Sequence, residues 1–173
     1  MPTTYTLISS NVLTSSAASV TFSSIPATYT DLVLRISARG SGVSSNALQV
    51  YIQANGDSAN NYSTTILLGN SSTVSSFSFA PDSAFIYFYI PQSGSTANTF
   101  SNNEIYIPSY TAGQNKPASG FGVAENNSSS ANQATIDAAA SLYRSNTAIS
   151  SLSIGGANFV SGSSFYLYGI SSN

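Results

Sequence analysis

Apolar and polar residues alternate with a period of two along most of this 173-residue chain. That spacing puts successive side chains on opposite faces of an extended strand. Across 32–39, Leu32, Leu34, Ile36 and Ala38 share one face, and Val33, Arg35, Ser37 and Arg39 the other. Leu48, Val50 and Ile52 alternate with Gln49, Tyr51 and Gln53 in the same way, and Ile105 and Ile107 with Glu104 and Tyr106. Nine further segments read as strands: 5–8, 19–22, 62–68, 74–79, 85–90, 120–125, 135–144, 150–154 and 164–170. Clusters of Gly, Pro, Asn and Ser separate them at regular intervals, which predicts an all-β chain folded as a single antiparallel β-sandwich or barrel. Neither a linker nor an internal repeat interrupts it, so one domain is expected over 1–173.

Two segments admit other readings. The stretch 134–144, ATIDAAASLYR, is rich in Ala, the best helix former, yet Ile136, Ala138, Ala140 and Leu142 line one strand face and no cap and stop signals frame a helix. It is read as a strand. The stretch 53–61, QANGDSANN, offers Asn55, Asp57, Asn60 and Asn61 as oxygen ligands for calcium. It lacks the clustered acids of a calcium loop, and Asn-Gly after an alternating strand is a hairpin signal because both residues must adopt positive φ. The turn is the preferred reading, and no metal or other cofactor is expected.

Charge changes the picture most. Only 6% of residues are Asp, Glu, Lys or Arg and the net charge is −2, against about 25% charged residues in an ordinary domain. With four basic residues there is no stripe for neutralising phosphates, so nucleic acid is not an expected partner. The longest apolar run, 84–90, falls well short of the ~20 residues of a membrane-spanning helix, and the first residues lack the pattern of a signal peptide. His and Cys are absent, which removes the usual nucleophile and zinc machinery. Six carboxylates remain, Asp31, Asp57, Asp82, Glu104, Glu125 and Asp137, scattered singly over separate segments. A hydrolase built on paired carboxylates needs two of them across one cleft, and a non-enzymatic role is expected.

The aromatic strands point to contact instead. FIYFYI places Phe85, Tyr87 and Tyr89 on one face, and FYLYGI sets Phe165 and Leu167 against Tyr166, Tyr168 and Ile170. Tyr suits interfaces because its ring is apolar and its hydroxyl tolerates water. Arg35, Arg39, Tyr87, Tyr89, Tyr166 and Tyr168 are therefore the candidate interface residues. Sandwiches often guard free edges with Lys; this chain has a single one, Lys116, which favours closure by assembly into a symmetric oligomer.

Three stretches, FSSIPATYTDLVLRISARG (22–40), SLYRSNTAISSLSI (141–154) and GSSFYLYGI (162–170), resemble a group of small β-rich proteins of tailed bacteriophages. The resemblance implies a jelly-roll-like sandwich in a virion protein, displayed on the capsid surface as a decoration or cement protein and made in the host cytoplasm. It implies the major capsid protein as partner, with a homotrimer as the favoured oligomer. The alternative is a glycan- or receptor-binding module of a phage tail or head fibre, since aromatic platforms with Asn, Asp and Gln serve sugar recognition.

Overall fold

The computed structural model describes residues 4–70, 73–128 and 133–171. They form twelve strands and, among the described residues, no helix. In chain order these are β1 (Tyr5–Val12), β2 (Val20–Phe22), β3 (Asp31–Ser37), β4 (Leu48–Ala54), β5 (Tyr62–Asn70), β6 (Thr73–Asp82), β7 (Phe85–Ile90), β8 (Asn102–Ile107), β9 (Lys116–Ala124), β10 (Thr135–Tyr143), β11 (Leu152–Gly155) and β12 (Ser164–Ile170). Each of the twelve segments read from alternation carries one strand, the Ala-rich stretch included.

Every ladder is antiparallel, and the strands make two packed sheets, an eight-stranded one ordered β1-β12-β3-β8-β9-β10-β5-β6 and a four-stranded one ordered β2-β11-β4-β7. The fold is an all-β antiparallel sandwich. With the hairpins β5–β6 and β9–β10 set aside, the remaining strands run 1-12-3-8 opposite 2-11-4-7, an order consistent with a jelly roll of eight strands in two sheets. The two hairpins enter at different points of the chain yet pair with each other, β10 on β5, and so extend one sheet by four strands. We call the eight-strand part the body and the extension the wing.

The body closes over one core. Leu32, Leu34 and Ile36 of β3, Ile105 and Ile107 of β8, and Phe165 and Leu167 of β12 face Val50, Ile52, Phe88, Leu152 and Ile154 from the smaller sheet, all buried. Fully burying a side chain of this size contributes about 1.5–3 kcal/mol relative to leaving it in water. The wing joins this core at one end, where Tyr62 stacks on Phe85 (5.4 Å between ring centroids) and on Tyr143 (4.7 Å), and those two rings also meet at 6.1 Å. Elsewhere it is covered by β7, which packs on β10, β9 and β5, and its own cluster is limited to Ile66, Leu68 and Ala139 with Phe79, Tyr87 and Tyr89 against them.

Three local departures from plain alternation decide which side chains reach the surface. Ile86 has φ 51°, and the β4–β7 register slips there, pairing Tyr51 with Tyr87 but Ile52 with Phe85. The bulge turns Phe85 to the inner face beside Phe88, so it does not share a face with Tyr87 and Tyr89 as alternation alone predicts. In β10 the apolar set Ile136, Ala138, Ala140 and Leu142 faces out, while Thr135, Asp137, Ala139, Ser141 and Tyr143 are buried. β3 ends at Ser37, so Arg39 leaves the strand pattern altogether.

Candidate interaction face

The outer face of the eight-stranded sheet brings together the surface groups that can engage a partner, and it divides into two halves. On the body half, Arg35 of β3 lies between Tyr166 of β12 and Glu104 of β8 in the cross-strand register. Its Nε donates to Glu104 Oε2 at 2.8 Å, with both side chains about half exposed. Its guanidinium also sits 5.8 Å from the Tyr5 ring and 5.9 Å from the Tyr168 ring, and these two rings meet edge to face at 6.3 Å. The cation is thus held by a carboxylate and two aromatic faces, each an interaction of order 0.5–1 kcal/mol at an exposed site. Tyr106, one position along β8 from Ile105, donates to Asp31 Oδ2 at 2.8 Å, and that bond raises its pKa. The result is a preordered platform of Tyr5, Tyr106, Tyr166 and Tyr168 around a single cation.

The wing half is apolar. Phe121 of β9 stands opposite Glu104 on one side and Ala138 on the other, and Leu67 of β5 follows Ala138 on the same row. On the next row Ile136 faces Val123 and Gly69, and Val74 of β6 lies beyond Gly69. Phe121 and Leu67 are 54% exposed, Ile136 51% and Val74 74%. No outward position of β5, β9 or β10 carries a charged side chain. Gly69 shapes the surface here: a methyl group in its place would come within 2.9 Å of Ile136 Cγ2. Together Leu67, Gly69, Val74, Phe121 and Ile136 line a shallow hollow of about 210 Å³. Large exposed apolar patches on a folded chain mark contact surfaces.

The residues singled out from sequence are dispersed. Arg35, Tyr166 and Tyr168 lie on the outer face of the body, Tyr166 and Tyr168 half buried. Tyr87 and Tyr89 are half buried against the chain's own wing: Tyr87 donates to Asp82 Oδ2 at 2.6 Å and its ring lies 5.2 Å from Phe79, while the Tyr89 hydroxyl accepts from Gln49 Nε2 at 3.3 Å. Arg39 is 7% exposed. Its Nη1 donates to the carbonyls of Thr96 (2.8 Å) and Thr99 (2.9 Å) and to Thr99 Oγ1, and its Nη2 to the carbonyl of Ser95. Burial lowers its pKa. It ties down the loop that follows β7. Lys116 is likewise buried, with Nζ donating to the carbonyls of Ala112, Gln114 and Ser145.

The 53–61 stretch is a tight turn. Asn55 and Gly56 have φ 55° and 66°, and Asp57 N–H donates to the Ala54 carbonyl at 3.0 Å, the positive-φ turn that Asn-Gly favours; it closes no hairpin, because β4 and β5 belong to different sheets. Three of the oxygens considered for calcium accept from the chain itself: Asn55 Oδ1 from Ser150 N–H, Asp57 Oδ1 from Ala59 N–H, and Asp57 Oδ2 from Asn61 Nδ2. The apolar wing patch, absent from the sequence-based candidates, was detectable in principle from Ile136 and Phe121 alternating with Asp137 and Gly122. Alternation gives the two faces but not which one turns inward. Compared with known proteins, the chain matches no family model and no curated sequence.

Proposed function

We propose that this chain is a non-enzymatic structural protein of a tailed-bacteriophage virion, a decoration protein that docks on the lattice of the major capsid protein. The observation that carries the reading is the uncharged, exposed wing patch of Leu67, Val74, Phe121 and Ile136, continuous with the Arg35 platform on one sheet. Such a patch buries apolar area on docking, and the Arg35 and tyrosine half supplies orientation, as aromatic and Arg anchors do in interfaces. A homotrimer would also cover the long, exposed edge strand β6. Bound only to the assembled shell, the protein stabilises that state by mass action.

The test is particle stability. Virions assembled without this chain are expected to release their genome at a lower temperature than complete ones, and Phe121→Asp with Ile136→Asp is expected to lower occupancy on the head while circular dichroism shows the variant chain still folded. Equal thermal retention with and without the chain sinks the cementing role. The glycan-binding alternative draws on the exposed Tyr5 and Tyr106 of the body half; labelling confined to the tail would favour that reading over the head-binding one.

A further inference from the structure

Beneath the junction of body and wing lies a polar arrangement that the outer face does not use. Asn103 of β8, Gly122 of β9 and Asp137 of β10 stand on one cross-strand row, side chains inward. Asn103 is 1% exposed and Asp137 2%. A methyl group at Gly122 would lie 2.3 Å from Asn103 Oδ1 and 2.7 Å from each Asp137 carboxyl oxygen, so the glycine leaves open the space in which these oxygens converge. None of the three oxygens has a hydrogen-bonding partner of good geometry among the described residues, although the Tyr89 backbone N–H lies near enough to Asp137 to favour its charged form. The Asn103 amide is oriented by its other end, since Nδ2 donates to Ser101 Oγ at 2.7 Å, and that hydroxyl also receives the Ala38 N–H at 3.2 Å. Its oxygen therefore lies over Gly122, in the same space as the two carboxyl oxygens. Two acceptors that face one another away from water need a donor between them.

We propose that Asp137 is held in the neutral acid form and donates its proton to Asn103 Oδ1, a buried acid–amide bond that joins β8 to β10 across Gly122 and breaks when the acid ionises. The described surroundings supply no compensating cation. Tyr89 and Tyr87 face this region from β7, with hydroxyls engaged by Gln49 and Asp82. β5 contributes Leu68 opposite Asp137, and β9 Gly122 and Ala124. On β10 itself Thr135 and Ala139 flank the acid, and Tyr143 lies at the strand's far end. Lys116 sits at the far end of β9 and is bound to three carbonyls, and Arg39 is bound to Ser95, Thr96 and Thr99. Burial pushes Asp137 up to about 7, with the Tyr89 backbone pulling the other way.

The sign of the effect follows from proton counting. The unfolded chain releases this proton near the ordinary value of 3.8 and the folded chain keeps it to about 7, so between those values the folded state binds more protons. The contribution to stability is full below 3.8, declines up to about 7 and stays level above. Because β10 turns Ile136 and Ala138 outward on either side of Asp137, ionisation acts directly beneath the exposed patch.

Carboxyl 13C NMR of the intact chain reads the proton itself. The Asp137 signal is expected to titrate with a midpoint near 7; a midpoint below about 5, in the ordinary carboxylate range, overturns the proposal. Asp137→Asn keeps a donor for Asn103 Oδ1 without an ionisable group. Its Tm at pH 8 is expected to exceed that of the native chain by about 5 °C or more, with the gap shrinking as pH falls toward 4. A gap independent of pH overturns the proposal. So does a rise in native Tm on adding calcium chloride at pH 8 that Asp137→Asn abolishes, because a cation would then fill the place assigned to the proton.

Discussion

The body and the wing share one sheet, yet they solve the burial problem differently. In the body two sheets cover each other, the inner positions of β3, β12, β4 and β11 are apolar, and polar side chains face water. In the wing β10 is inverted: Asp137, Thr135 and Ser141 point in and Ile136 and Leu142 point out. The wing is wider than its cover, since β7 reaches β5, β9 and β10 and leaves β6 with exposed positions along most of its length. The second sheet thus makes the fold, while the hairpin insertions make a surface. Strands that need not seal a core are free to carry apolar groups outward.

The sharpest test of that contrast is a cavity in each region. Phe159→Ala removes a fully buried ring that packs edge to face on Phe165 at 5.1 Å, and roughly 3–5 kcal/mol of stability should be lost in urea unfolding. Ile66→Ala, equally buried but in the small wing cluster, should cost about 2–3 kcal/mol, the lower part of the range for such truncations. Because the ring is the larger group, a loss at Ile66 equal to that at Phe159 would mean that the wing is packed more tightly than the body. Next in size is Arg39→Met. It deprives three loop carbonyls and one hydroxyl of a charged donor and should cost about 2 kcal/mol, with faster amide exchange confined to the 91–101 loop. Smallest is Arg35→Ala, which removes an exposed ion pair and two ring contacts; less than about 1 kcal/mol is expected. A large loss there would show that the platform supports the fold as well as any contact it makes.

Much of this architecture is legible in the sequence, because period-two alternation reports strands wherever one face is buried and the other wet. β4 and β8 follow that rule, β3 departs from it only at Val33, which is buried on the outer face, and even β10 is found as a strand. Its sense is not legible: Ile136, Ala138, Ala140 and Leu142 look like the inner set, and only the pairing of two hairpins distant in sequence decides otherwise. The bulge at Ile86 is equally silent, since a positive φ at a β-branched residue is imposed by packing and has no local signal. Arg39 resembles Arg35 on an alternating strand, but the strand ends two residues before it and the side chain turns into a loop. The Asn103–Asp137 pair is invisible for the same reason as the wing itself, because its members meet only through β9.

The pairing of β1 with β12 has a mechanical consequence. Tyr5 lies opposite Ile170 and Val12 opposite Ser164, so the start of the first strand and the finish of the last lie at the same corner of the sheet. Tension applied between these two points would load the ladder one rung at a time from the Tyr5–Ile170 end, peeling β1 away. The same strands pulled from opposite ends would resist in shear, with all rungs bearing force together. Pulled between Tyr5 and Ile170, the chain should therefore yield first at its outer strand, at low force, while the interior of the sandwich stays closed.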